Sequence, residues 1–133
     1  MSTRAMGTFE VTMKPLSAAD ETPGTNLGRM SLEKTFAGDL VAISRGEILT
    51  AMTGTKGSAG YVAIERVTGT LGGRKGSFVF QHSSVMNRGV ATQSIQVVPD
   101  SGTEELAGLA GSFVIDVVEK KHLYVFDYTL PDA

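Results

Sequence analysis

The chain has no cysteine and no tryptophan among its 133 residues, and only four prolines. Without cysteine it can form no disulfide, no thiolate metal site and no cysteine nucleophile. No apolar run approaches the roughly 18 residues that a membrane-spanning helix needs, so we expect no membrane association. The first residues, MSTRAMGTFEV, lack the apolar core of a secretory signal, and the sequence therefore predicts a cytoplasmic location.

An excess of positive charge is also missing. Twelve Lys and Arg residues stand against 14 Asp and Glu residues, which gives a net charge of −2. Because nucleic-acid binding needs a basic surface, we expect no such partner. A content of 41% hydrophobic and 20% charged residues is typical of a globular protein, and the length predicts a single domain over residues 1–133.

The clearest local pattern is a β-hairpin over residues 60–82, GYVAIERVTGTLGGRKGSFVFQH. Two runs of alternating side chains meet at a Gly-Gly pair, which is typical of a tight hairpin turn. A turn centred on that pair places Glu65 opposite Phe80 and Ala63 opposite His82. The register therefore predicts which side chains share a face.

Similar alternation recurs along the chain and predicts about eight strands joined by short connections. Sequential antiparallel strands in this number favour an all-β fold, an up-and-down barrel, because closure removes exposed edges. A two-sheet sandwich is the structural alternative. One short helical turn is predicted near residues 103–108, with Glu104 and Glu105 matching the helix dipole, and the polar stretch 15–25 predicts an exposed loop.

A carboxylate and an imidazole share one face of the predicted hairpin. Glu65 and His82 lie diagonally adjacent there, and Tyr61 is on the same face. In a partly dry aromatic pocket each group would shift the pKa of the other, which makes Glu65 and His82 candidate acid/base residues. The alternative is that Glu65 faces solvent or pairs with a basic neighbour.

Aromatic residues also follow one another on the last predicted strand. Tyr124, Phe126 and Tyr128 occupy successive same-face positions with His122. Inside a barrel this stripe would line a cavity for a small molecule, or it would simply fill the interior. The outward face of the hairpin carries Val62, Ile64 and Val79, and we expect it to serve as a subunit interface in a homo-oligomer.

No motif for a cofactor or a metal is found. The segment 69–76, GTLGGRKG, lacks the ending of a phosphate-binding loop and joins two strands. The two histidines, His82 and His122, have no metal-ligand spacing. We therefore expect neither a cofactor nor a bound metal.

Three segments together resemble a known family: YVAIER at residues 61–66, GTLGGRKGSFVFQH at 69–82, and VPDSGTEELAGLAG at 98–111. The chain resembles the small bacterial proteins of domain-of-unknown-function family 3224 from about Thr8 to Leu130. Such proteins are similar to the allene-oxide-cyclase-like barrels, a group that includes the plant dirigent proteins. The resemblance implies an eight-stranded antiparallel barrel and supports oligomers, but it implies no activity.

The sequence thus predicts a barrel that binds an apolar or aromatic small molecule in its interior. The predicted lining residues are Tyr61, Glu65, Phe78, Phe80, His82, Tyr124, Phe126 and Tyr128. Two alternatives stay open. One is an isomerase or cyclase-like enzyme that uses Glu65 and His82, and the other is a structural or interaction module with a filled barrel.

Overall fold

Eight antiparallel strands close into one barrel in a computed structural model, which describes residues 2–16, 20 and 22–131. Each strand pairs with its neighbour in sequence, and the last strand pairs with the first. The predicted all-β up-and-down barrel is therefore confirmed.

The strands form the barrel wall and are joined mainly by tight turns. They are β1 (Thr3–Pro15), β2 (Thr25–Gly38), β3 (Leu40–Thr53), β4 (Ala59–Leu71), β5 (Arg74–Asn87), β6 (Val90–Val97), β7 (Ala110–Val118) and β8 (Lys121–Thr129). One 3₁₀ helix, Glu104–Leu106, lies between β6 and β7, where the sequence predicts a helical turn. No helix among the described residues is long and apolar enough to cross a membrane.

The predicted loop at 15–25 is described only in part. Residues 17–19 and 21 lie outside the described residues. At its start Pro15 still belongs to β1, and Asp20 forms an isolated antiparallel bridge with Leu27.

The central hairpin has the register that its sequence predicts. Glu65 pairs with Phe80, and Ala63 pairs with His82. Gly72 and Gly73 both have positive φ, 56° and 82°. A two-residue turn of this kind matches the twist of the flanking strands, and glycine adopts it without a steric penalty.

Aromatic side chains fill one half of the barrel interior. The fully or nearly fully buried rings there are Phe36, Phe78, Phe80, Phe113, Tyr124, Phe126 and Tyr128. Their centroids lie about 5 to 6 Å apart, so they form one continuous cluster. Leu106 of the 3₁₀ helix and Leu109 are buried in the same cluster and cover this end. We call this half the closed half.

Within the closed half, the side chain of Tyr124 on β8 forms hydrogen bonds to the backbone of β2 and β3. Its hydroxyl accepts a hydrogen bond from the Leu40 backbone N–H at 2.9 Å and donates one to the Ala37 carbonyl at 3.0 Å. The ring crosses Gly7, where any side chain would overlap the Ala37 carbonyl and the Tyr124 ring. A glycine at this position is therefore required for the close approach of β1, β2 and β8.

The outer wall carries apolar side chains that no other part of the described chain covers. On β3 and β4, Leu49, Val62 and Ile64 are each more than half exposed. The last two belong to the face for which the sequence predicts a subunit interface, and that stays a prediction.

Candidate functional site

The other half of the barrel contains a partly open cavity of about 440 Å³, and we call it the open half. This volume lies in the range of small-molecule sites, roughly 300 to 1,000 Å³. The cavity is lined by Phe9, Val11, Met13, Met30, Leu32, Lys34, Ile48, Thr50, Tyr61, Ala63, His82, Gln93, Ile115, Val117 and His122. Nine of these fifteen residues are apolar, and the other six are Lys34, Thr50, Tyr61, His82, Gln93 and His122.

Side-chain size explains why this half is open. On β7, for example, the inward residue in the closed half is Phe113, whereas Ile115 and Val117 line the cavity. Each strand faces the interior at every second residue, so the identity of these residues decides how much space is filled. The smaller side chains do not fill the interior, and the unfilled space is the cavity.

The wall beside the cavity is weakest between β6 and β7. The ladder of that pair consists of Ile95 with Phe113 and Gln96 with Ser112. Beyond it, towards the cavity end, the Ile115 backbone N–H donates to the Gln93 side-chain oxygen at 2.9 Å instead. The backbone strands therefore separate where Gln93 and Ile115 line the cavity.

A buried ion pair lies at the inner end of the cavity. Lys34 Nζ donates to Glu65 Oε1 at 2.9 Å, and both side chains are almost completely buried. The second carboxylate oxygen, Oε2, accepts a hydrogen bond from the Ser44 hydroxyl at 2.6 Å. Both oxygens of Glu65 thus have a partner, as a buried carboxylate requires.

A glycine on the neighbouring strand allows the backbone at Glu65 to approach closely. Gly46 pairs with Glu65, and a side chain there would overlap the backbone of Ile64 and of Glu65. The strands β3 and β4 can therefore approach closely below the ion pair.

Tyr61 and His82 form the second polar group of the cavity. The Tyr61 hydroxyl and His82 Nε2 are 2.9 Å apart, and the two rings meet edge to face. Burial, followed by the charge of Lys34, lowers the pKa of His82 to about 4. Burial also raises the pKa of Tyr61 above its ordinary value. At neutral pH the pair is therefore uncharged, and it presents neutral hydrogen-bonding groups to the cavity.

Because of this shift, stability should depend on pH through His82. The ordinary pKa of the imidazole is 6.5, so between pH 6.5 and 4 the unfolded chain binds a proton that the folded chain does not. The free energy of unfolding should therefore fall as the pH falls through this window, by up to about 3 kcal/mol. Urea denaturation at a series of pH values measures this free energy of unfolding. A His82→Gln variant should show a flatter profile, and identical profiles for the two proteins would contradict the assignment.

The structure separates the residues that the sequence predicts as one site. Tyr61 and His82 line the cavity, whereas Glu65 lies behind Lys34 and is only 1% exposed. Glu65 bonds Lys34 and Ser44, and His82 bonds Tyr61, so no hydrogen bond joins the two candidate acid/base residues.

The other five predicted lining residues do not reach the cavity. They are Phe78, Phe80, Tyr124, Phe126 and Tyr128, and all are buried in the closed half. The physical reason is that these five rings lie at a different depth along the barrel axis from the cavity. The alternation of a strand gives the side of the wall but not the depth, and Leu106 and Leu109 cover the end where these rings lie.

Several cavity residues were not predicted from the sequence as part of a pocket. Lys34 is the most important of them, and Phe9 is another. The Phe9 ring stacks, with centroids 5.0 Å apart, on His122, which belongs to the predicted last-strand stripe and lines the cavity. A signal for Lys34 exists, since it alternates with Leu32 and Phe36 on an otherwise apolar strand face. Among the described residues, no three His, Asp or Glu side chains come together as metal ligands.

The family assignment follows from comparison with known proteins. The model of the family described as "Protein of unknown function (DUF3224)" matches residues 5–128. The chain belongs to this family. A crystal structure of a DUF3224 protein of unknown function from Shewanella oneidensis MR-1 is similar over 100% of both chains, with 48% sequence identity and a TM-score of 0.95. No match is found among curated proteins. The DUF3224 assignment confirms the predicted family and supplies no activity, and the similarity to allene-oxide-cyclase-like barrels stays a prediction.

Proposed function

We propose that this DUF3224 barrel binds an apolar or aromatic small molecule in its open half. The observation that supports the proposal is the 440 Å³ cavity, whose lining is mainly apolar and includes the Lys34 ammonium and the Tyr61–His82 pair. Concave apolar sites with a few oriented polar groups are the usual form of small-molecule sites. Fold alone assigns no reaction, so a place among the allene-oxide-cyclase-like barrels adds no chemistry to the proposal.

Binding of a neutral fluorescent probe tests the proposal. N-phenyl-1-naphthylamine should become more fluorescent on transfer from water into the cavity, and the protein should become more resistant to heat, because a ligand of the native state stabilises it. Titration of the probe gives its dissociation constant.

Variants that fill the cavity should weaken this binding. Thr50→Phe at a half-buried lining position should raise the dissociation constant by about tenfold, the equivalent of about 1.4 kcal/mol of lost apolar contact. Ala63→Phe, at a deeper position, tests the same point. Thr68→Phe on the outer face of β4 is the matched control and should leave the constant unchanged. Equal affinity in all these variants would place the probe elsewhere and refute the proposal.

A further inference from the structure

In the ion pair at the inner end of the cavity, the Lys34 ammonium has more hydrogen-bond donors than the described residues accept. A lysine ammonium has three N–H donors, and in the described part of the chain Glu65 is the one hydrogen-bond acceptor that Lys34 reaches. The Lys34 side chain is 5% exposed, so bulk water does not surround its remaining donors. Buried donors are almost always satisfied, and here the empty space beside them is the cavity.

Neighbouring aromatic rings hold the ammonium in place. Lys34 Nζ lies 5.0 Å from the centroid of the Phe9 ring and 5.9 Å from that of Phe36. Cation–π attraction and the Glu65 hydrogen bond together fix its position. The donors are therefore preorganised, which lowers the cost of binding an acceptor.

Charge at this end favours a neutral acceptor over an anion. Glu65 already balances the Lys34 charge at 2.9 Å, and no other Lys or Arg lines the cavity in the described residues. A ligand carboxylate would place a second negative charge beside one ammonium in a site of low polarity, and such a charge is costly without a partner of its own.

We propose that the ligand carries a neutral carbonyl oxygen, which accepts a hydrogen bond from Lys34 Nζ while its apolar body occupies the cavity. The inference rests on the proposed function and adds the chemical class of the ligand: an aromatic or aliphatic ketone, aldehyde or ester. Tyr61 and His82 bond each other at 2.9 Å and are neutral, whereas Lys34 is charged and is therefore the stronger donor to the ligand.

Displacement of N-phenyl-1-naphthylamine by three matched compounds tests the inference. 2-Acetylnaphthalene has a ketone, 2-ethylnaphthalene has a similar shape without the oxygen, and 2-naphthoate has a carboxylate. The ketone should bind about tenfold more tightly than the other two, a difference typical of one charge-assisted hydrogen bond. In a Lys34→Met/Ser44→Ala/Glu65→Leu triple variant, which removes the whole polar cluster, the preference should disappear.

The outcomes distinguish the two proposals. Equal displacement by the ketone and the hydrocarbon would overturn the carbonyl inference and leave the cavity as a binding site. Tightest binding of the carboxylate would overturn it in favour of an anionic ligand. Failure of the fluorescent probe itself to bind would refute the proposed function, and the inference with it.

Discussion

The Glu65→Leu variant should lose about 3 to 5 kcal/mol of unfolding free energy, measured by urea denaturation at neutral pH. Removing this carboxylate leaves the Lys34 ammonium without its 2.9 Å partner in an almost dry environment. A buried charge without a partner costs free energy. The Ser44 hydroxyl also loses its acceptor.

Two controls separate burial from charge. Glu47→Leu removes the same kind of side chain from an ion pair with Arg29 at 2.6 Å, but both partners are about half exposed. Solvent screens such a pair, so the change should be small in comparison. The triple variant Lys34→Met/Ser44→Ala/Glu65→Leu should recover most of the lost stability, because no buried charge remains. Equal losses in the single and triple variants would contradict the account.

Phe126→Ala should have a comparable effect, a loss of about 3 to 5 kcal/mol. The Phe126 ring is fully buried in the closed half, and its centroid lies 5.3 to 5.9 Å from those of Phe78, Phe80, Phe113 and Tyr128. Truncation removes the apolar contacts of the ring and leaves a void that the surrounding strands cannot collapse to fill.

Phe9→Ala is the matched comparison in the open half. The Phe9 ring borders the cavity, so part of its surface has no packed neighbour to lose. We expect a smaller loss of unfolding free energy than for Phe126→Ala in the same urea assay. A loss as large as that of Phe126→Ala would mean that the open half is packed as tightly as the closed half.

Local sequence patterns account for much of the fold. The central hairpin is predictable because its Gly-Gly turn fixes the pairing of Glu65 with Phe80, and alternation fixes the inward face. The helical turn is predictable from the acidic residues that follow Thr103. These features depend on residues that are close in sequence.

The candidate site depends on contacts that local patterns do not contain. Lys34 on β2 reaches Glu65 on β4 across β3, and the registers of two successive strand pairs together bring the two side chains into contact. The closed half is likewise determined by Leu106 and Leu109, which come from a connection and not from a wall strand. Alternation could therefore show that Tyr124 and Phe126 face inward, but not that they lie outside the cavity.

Intermolecular nuclear Overhauser effects between 2-acetylnaphthalene and the protein methyl groups test the central claim most directly. The account predicts contacts to Val11, Leu32, Ile48 and Ile115, whose side chains line the cavity. The exposed methyl groups of Leu49, Val62 and Ile64 on the outer wall are the internal comparison. Contacts confined to those outer residues would show that the open half of the barrel is not the binding site.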